Sequence, residues 1–501
     1  MKTLFTIIVA LLLTTNLMIA QDLESELTNI ALDHDMLGAA AVIFCENEII
    51  DTFYYGKADL QRDIDLHEDT KFRIASISKT ITAIAVMQLV EQNLLGLNND
   101  ISSILGFNVQ NPNYPSEAIT VQMLLSHKST IIDGPTYSSF LSSTVSDYPI
   151  PNLSEILTPS GSFYTFTQFN NTVPGTYFNY SNINFVILAT IVEKVANQSF
   201  DVYCYQNIFH PLGIDASFNV NDIGDIDDVA VLYRKIGGVW TPQVDNYQGT
   251  QPVYANTLNY TIGTNGGRFG PQGGLRCSAK DLAKIFMCIF NPDMCDSPIL
   301  NAQSVANMVD NQWTYNGNNG NYYSGLFRSW GLGVHRITST PSNDIVLPGS
   351  QMMFGHPGEA YGLVSDLYYD PVRKVGIVFM TNGVGNGFQL ESGSAFYTVE
   401  RDFFNAMEVY GDPNSCLTVS LDPVLDDQAQ LRIFPNPVND FINLEISNFT
   451  NSGTVKVLNA NGQMLFESYI DSAQFSFDVS SLKSGVYLLQ FNERTMRFIK
   501  L

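Results

Sequence analysis

The sequence predicts an α+β protein: an antiparallel sheet flanked by helices and joined to a mostly helical lobe, followed by a small all-β sandwich. Three observations predict it. Helical spacing of apolar residues runs through FRIASISKTITAIAVMQLVEQNLLGL (72–97) and the second half of PGTYFNYSNINFVILATIVEKVA (174–196). Apolar runs that read as strands flank FGHPGEAYG (354–362), the second of them DLYYDPVRKVGIVFMTNG (366–383). From Leu431 onward the texture changes to short alternating runs broken by turn residues.

At the N-terminal end, MKTLFTIIVALLLTTNLMIA has a cationic start, an apolar stretch and a small residue before Gln21. This predicts a secretory signal peptide over residues 1–20. Its apolar part is interrupted by Thr6 and closed by Thr14, Thr15 and Asn16, too short to span the ~30 Å hydrocarbon layer. No later stretch has ~18 consecutive apolar residues, so no integral membrane segment is expected after removal of the signal. Helices are expected at 22–36, 76–96, 118–127, 183–196 and 392–408, with Gly96 ending the second. Sheet strands are expected within 39–57, 331–337 and 360–382.

At the other end, LRIFPNPVNDFINLEI, GTVKVLNANGQMLFESYI, QFSFDVSSLKSGVYLLQF and TMRFIKL alternate apolar and polar residues. Asn461-Gly462 and Ser484-Gly485 punctuate them. Residues 431–501 therefore predict a small antiparallel β-sandwich. The segment 411–430 has four Asp, no Lys or Arg, and prolines at 413 and 423. It reads as an acidic linker that closes a main domain spanning 21–410.

Among the 501 residues, 45 % are apolar and 15 % charged, which suits a folded core. The balance of 25 basic against 49 acidic residues gives a charge of −24. Nucleic-acid binders need a basic footprint, so nucleic acid is excluded as a partner, and anionic lipid equally. The charge is uneven: 431–501 holds six basic and six acidic residues, so the acidity belongs to the main domain and linker. Of six cysteines (45, 204, 277, 288, 295, 416), Cys288 and Cys295 form the best candidate pair, because six residues between them allow the chain to turn back. There is no CxxC, no HExxH and no GxSxG, and the histidines (34, 67, 127, 210, 335, 356) are scattered. No metal or cofactor is expected.

Ser76 and Lys79, three apart at a helix start, lie on one face. A serine hydroxyl is a weak nucleophile until a base takes its proton, and a desolvated lysine with a lowered pKa can do so. Tyr180-Ser181-Asn182 precede a helix. A tyrosine hydroxyl beside an ammonium can serve as base and then acid. His356-Pro357-Gly358 can line a site edge, where glycine admits close backbone approach.

In this order the three motifs, with LLSH (124–127) and GGLRCSAKDLAKI (273–285), resemble the serine β-lactamase-like family of class C β-lactamases, penicillin-binding-protein-like esterases and D,D-peptidases, over about 22–410. The resemblance implies that Ser76 is the acylated nucleophile, Lys79 its proton partner and Tyr180 the general base and acid. It implies that Asn182 orients the substrate, that His356 and Gly358 line the substrate site, and that the backbone amides of Ser76 and Glu359 form the oxyanion hole. The sequence departs from the lactamase pattern at His356-Pro357-Gly358, in place of Lys-Thr-Gly, and at SHKST (126–130), in place of SHTSG. The implied activity is hydrolysis of an ester, a D-amino-acid peptide or a β-lactam through an acyl-enzyme. The alternative is a catalytically inactive penicillin-binding-like protein. FPNPVND (434–440), VLNANGQML (457–465), LKSGVYLLQF (482–491) and MRFIKL (496–501) resemble the type IX secretion sorting domain. This implies the secretion machinery as a partner and a secreted or cell-surface location.

Overall fold

The structure is a computed structural model. It describes residues 23–407 and 431–500, except 47, 148, 253–259, 339–344, 348, 351, 391–392, 435–437, 447–452, 460–462, 471, 473, 484 and 492–493. The expected signal peptide, the linker 411–430 and Cys416 lie outside the described residues. The chain divides into two compact units, Met1–Val419 and Ser420–Leu501.

The strands of the first unit are β1 (Met36–Cys45), β2 (Glu48–Asp59), β3 (Ile64–Asp65), β4 (Lys71–Arg73), β5 (Leu232–Ile236), β6 (Val239–Val244), β7 (Arg276–Ser278), β8 (Trp313–Thr314), β9 (Ser329–Trp330), β10 (His335–Thr338), β11 (Met352–Ala360), β12 (Leu363–Asp370) and β13 (Val375–Val384). Its α-helices are α1 (23–33), α2 (Ser78–Glu91), α3 (Ile101–Leu105), α4 (Val121–Leu125), α5 (Tyr137–Ser146), α6 (Ser154–Leu157), α7 (Ile183–Ala196), α8 (Phe200–Cys204), α9 (Ala279–Phe290), α10 (Ala302–Val309) and α11 (Thr398–Ala406). Nine strands form one sheet in the order β3-β2-β1-β13-β12-β11-β10-β9-β8, with antiparallel neighbours.

Strand β1 shows why the sheet has two covered faces. Successive side chains point to opposite sides. Ala40, Val42 and Phe44 join the core shared with α2, α7 and α9. Ala39, Ala41, Ile43 and Cys45 join a second core with Leu27 of α1 and Phe403 of α11. Burial on both sides explains why this antiparallel strand reads as an unbroken apolar run instead of an alternation. Helix α2 is mostly apolar, has no solvent-facing polar stripe and is nearly wholly buried, the pattern of a central helix. It ends before Gly96: Asn93 adopts a left-handed conformation (φ 59°) and the amides of Leu94 and Leu95 both return to the Leu89 carbonyl. Asparagine here does what glycine was expected to do.

The expected strand positions hold in outline, with one correction. Residues 354–362 were expected between strands, but most of them form β11, inside the sheet. Pro357 is tolerated there because β10 pairs only with Met352–Gly355, so the outer edge of β11 is open from His356 onward. Cys288 and Cys295 are disulfide-bonded, with Cα atoms 5.1 Å apart. Cys45 is disulfide-bonded as well, while Cys204 and Cys277 are buried free thiols. Among the described residues no helix is long and apolar enough to cross a membrane.

The second unit contains β14 (Leu431–Phe434), β15 (Phe441–Ile446), β16 (Gly453–Asn459), β17 (Met464–Ile470), β18 (Gln474–Asp478), β19 (Gly485–Phe491) and β20 (Arg494–Lys500). They form two antiparallel sheets, β14-β15-β18 and β17-β16-β19-β20. Ile442, Leu444 and Phe477 of the first sheet share one core with Val455, Val457, Leu489 and Phe498 of the second. This is the expected sandwich.

Candidate active site

Ser76 lies in a 3-10 turn, Ala75–Ile77, immediately before α2, two residues earlier than a helix-first position. Ala75 holds a left-handed conformation (φ 49°), a strained state of the kind retained where the surroundings over-determine it. The opposing wall is β11. A Cβ on Gly358 would stand 2.8 Å from the Ile74 carbonyl oxygen and 2.3 Å from Ser365 Oγ. Only glycine lets the strand come this close to the Ser76 turn.

Lys79 points back from the first turn of α2 and is fully buried. Its Nζ donates to Ser76 Oγ (2.9 Å) and to the carbonyl of Gln272 (2.7 Å). It also lies 4.9 Å from the Tyr180 ring centroid and 5.8 Å from that of Phe185. Burial brings its pKa down to about 7, against a raising effect of the Asp133 carboxylate. Tyr180 is hydrogen-bonded with Ser76, but burial still holds its hydroxyl well above the ordinary phenol range. The two groups expected to exchange protons with Ser76 therefore differ. Near neutral pH the amine is the one ready to accept, while the phenol keeps its proton.

The walls of this compartment are aromatic. Tyr180 stacks on Phe327 (5.0 Å between centroids) and packs against His127 (4.4 Å), Trp330 (5.8 Å), Tyr323 and His356 (both 5.9 Å). Tyr323 also donates its hydroxyl to the Tyr180 carbonyl (2.9 Å). His127, His335 and His356 are buried around Trp330. Burial and, for His127 and His356, the nearby Lys79 keep them below the usual imidazole range. His356 is therefore a neutral wall residue, with Nδ1 2.6 Å from the Pro357 carbonyl.

Two residues that position the site were given no role from the sequence. His127 Nδ1 accepts from the Ser181 amide (3.1 Å), and its carbonyl accepts from the Asn179 amide (2.8 Å). It thus holds the segment carrying Tyr180. Asp133 accepts from Asn182 N (3.0 Å), Asn182 Nδ2 (2.8 Å) and Ile183 N (2.9 Å), capping α7 where a negative charge is favoured. The orientation of Asn182 is set by this carboxylate. Thr130, in place of the expected glycine of SHTSG, takes φ 69° and is held by Asn111 Nδ2 (2.8 Å) and by Asn170 N on its carbonyl (2.8 Å). His127 lies in a motif already visible as LLSH. Asp133 and Gln272 carry no local signal, since one acts as a distant cap and the other through its backbone.

The structure brings Ser76, Lys79, Tyr180, His356 and Gly358 to one place, with Asn182 at the start of α7. Glu359, whose amide was expected in the oxyanion hole, sits on β11 beside Gly358, with its exposed side chain accepting from Tyr397 Oη (2.8 Å). Among the described residues no group of three or more His, Cys, Asp or Glu is placed to hold a metal ion.

Comparisons with known proteins agree with this architecture. Residues 432–500 match the secretion system C-terminal sorting domain, which directs a chain to secretion or the cell surface and implies the type IX machinery as partner. Protein flp of Staphylococcus aureus (strain MRSA252) is 27 % identical over 197 residues, 38 % of this chain and 38 % of that protein. Penicillin-binding protein 4* of Bacillus subtilis (strain 168) is 26 % identical over 164 residues, 32 % of this chain and 33 % of that protein. These alignments span little more than a third of the curated relatives' length. The octameric penicillin-binding protein homologue from Pyrococcus abyssi superposes with a TM-score of 0.58 at 20 % identity, covering 95 % of this chain and 99 % of that one. The D-amino acid amidase from Ochrobactrum anthropi SV3 superposes at 0.57 and 19 % identity, over 79 % and 100 %. Residues 18–396 match the family model for beta-lactamase, and the chain belongs to that family.

Proposed function

We propose that this protein is an exported serine hydrolase that works through an acyl-enzyme on Ser76. The observation that carries the reading is Lys79: a buried amine without a carboxylate partner among the described residues, 2.9 Å from the only moderately covered Ser76 hydroxyl, with a pKa of about 7. Neutral Lys79 takes the Ser76 proton as Oγ attacks the substrate carbonyl carbon and a C–O bond forms. The backbone amides of Ser76 and Glu359 hold the oxyanion. When the bond to the leaving group breaks, Tyr180 gives that group its proton and recovers one from Lys79. A water then releases the acyl group by the reverse relay. The high pKa of Tyr180 suits the donating role, because its proton is kept until the leaving group needs it.

Esters and amides whose leaving group bears no carboxylate fit this site better than β-lactams or peptides with a free C-terminal D-residue. A β-lactam carboxylate calls for a fixed cation and a hydroxyl. His356 and Pro357 supply neither, since His356 is buried and neutral. The relatives and neighbours named above support the hydrolase class, and Asn182 at the start of α7 would contact the acyl amide or ester. Intact-mass labelling with a fluorophosphonate and with a penicillin tests the reading. An adduct on the wild-type protein that is lost in Ser76→Ala is the expected result. Absence of any adduct would overturn it in favour of a non-catalytic binding protein.

A further inference from the structure

A second cavity, of about 520 Å³, opens beside the Ser76 turn, within the size range of small-ligand pockets. Gln272 and Gly274 belong to its wall, so it shares the Gln272 segment with Lys79. Arg73, Arg268 and Arg276 also line it, with Tyr361. Three guanidinium groups around one cavity are unexpected in a chain of charge −24.

The three are not equivalent. Arg276 is neutralised by Asp245, which accepts from Nε (3.1 Å) and Nη2 (2.7 Å). Arg73 stands three residues before Ser76, at the end of β4. Its Nε donates to the Gly273 carbonyl (3.2 Å) and its guanidinium lies 5.1 Å from the Tyr361 ring centroid. No carboxylate pairs with it among the described residues, and the one it acts on, Asp245, is committed to Arg276. Arg268 reaches the rim, where Nη1 donates to the Val145 carbonyl (3.4 Å). None of Tyr180, Tyr323, Phe327 and Trp330 lines the cavity. A leaving group that receives its proton from Tyr180 would depart on the aromatic side, which leaves the side of Arg73, Gln272 and Tyr361 for the acyl group.

We propose that this cavity is an acyl-side subsite for acyl groups that carry a second, free carboxylate, which Arg73 and Arg268 bind while Arg276 stays paired with Asp245. Arginine forks suit carboxylates by geometry as well as charge. The proposal rests on the acyl-enzyme reading of Ser76.

Two measurements on the full chain test it. In the first, p-nitrophenyl hemiglutarate and p-nitrophenyl butyrate are compared by kcat/KM. The anionic ester is expected to be preferred by about tenfold or more, with the preference shrinking as ionic strength rises to about 1 M. Arg73→Gln and, separately, Arg268→Gln should lower the hemiglutarate value several-fold more than the butyrate value, and Arg73→Lys should restore part of the difference. In the second, glutarate is titrated calorimetrically into wild type and the two glutamine variants, a readout that needs no turnover. Binding that weakens about tenfold in either variant supports the subsite. Equal, salt-independent turnover of both esters overturns the proposal, and so does glutarate binding that is absent or indifferent to both substitutions. If glutarate binds as expected while neither ester turns over and fluorophosphonate leaves no adduct, the subsite stands and the hydrolase reading falls.

Discussion

Lys79 and the Asp366–Glu400 pair are buried ionisable groups on opposite faces of the same sheet. Lys79, on the α2 face, donates to Ser76 and to the Gln272 carbonyl. Asp366 points to the α11 face. Neither of its carboxyl oxygens has a hydrogen-bond partner among the described residues, and its electrostatic neighbour is Glu400. Burial drives both sites toward the neutral form. It lowers Lys79 to about 7, raises Glu400 to about 8 and pushes Asp366 well above the carboxylate range. The shifts are comparable in cause, yet only Lys79 has a hydrogen-bonded route to a nucleophile that solvent can reach. A displaced pKa by itself marks burial. It marks a site when it is wired to a reactive atom.

The sharpest way to break this comparison is to exchange the two groups for neutral ones. Lys79→Met should slow fluorophosphonate labelling by roughly a thousandfold with an unchanged circular dichroism spectrum, whereas Asp366→Asn should leave labelling unchanged. Substantial labelling of the Lys79 variant would show that another base operates. Gly358→Ala comes next. Its new methyl must displace Ser365 Oγ and the Ile74 carbonyl, and misplacement of the Ser76 turn should cost about a hundredfold in labelling rate. His127→Ala, which frees the Tyr180 segment, is expected to cost about tenfold; a rate equal to wild type would show that the aromatic box alone positions Tyr180.

The smallest effect is on stability, and there the two faces act with opposite sign. The native state keeps protons on Asp366 and Glu400 that the unfolded chain releases, so between pH 4.5 and about 8 this pair makes stability fall as pH rises. Glu193, raised to about 7 by burial, adds to the same limb. Lys79 does the reverse. Between about 7 and 10.5 the unfolded chain holds a proton that the native state lacks, so stability rises with pH. Urea unfolding across this range should show Glu400→Gln flattening the first limb and Lys79→Met the second, each by at least about 1 kcal/mol. Unchanged slopes would remove burial as the common cause.

Much of this was legible in local pattern. The α2 and α7 segments, the disulfide at Cys288 and Cys295 and the β-sandwich after Leu431 follow from spacing and pattern, and the convergence of Ser76, Lys79 and Tyr180 from the family resemblance of their motifs. What was not legible depends on long-range contact. Pro357 reads as a strand breaker until β10 is seen to stop at Gly355 pairing. Asp133 is 49 residues from Asn182, and Gln272 is 193 residues from Lys79.

The amino-acid order by itself determined the candidate residues and the elements that carry them: a serine and a lysine three apart at the entry to a helix, a tyrosine before a second helix, a neutral sorting module following an acidic domain. Tertiary structure alone decided the protonation states and the extra cavity. The pKa of Lys79 is set by its burial against Tyr180 and Phe185, and the anionic preference proposed for the cavity by Arg73, which pairs with no carboxylate among the described residues. Both are properties of packing between distant segments, and neither has a counterpart in local sequence.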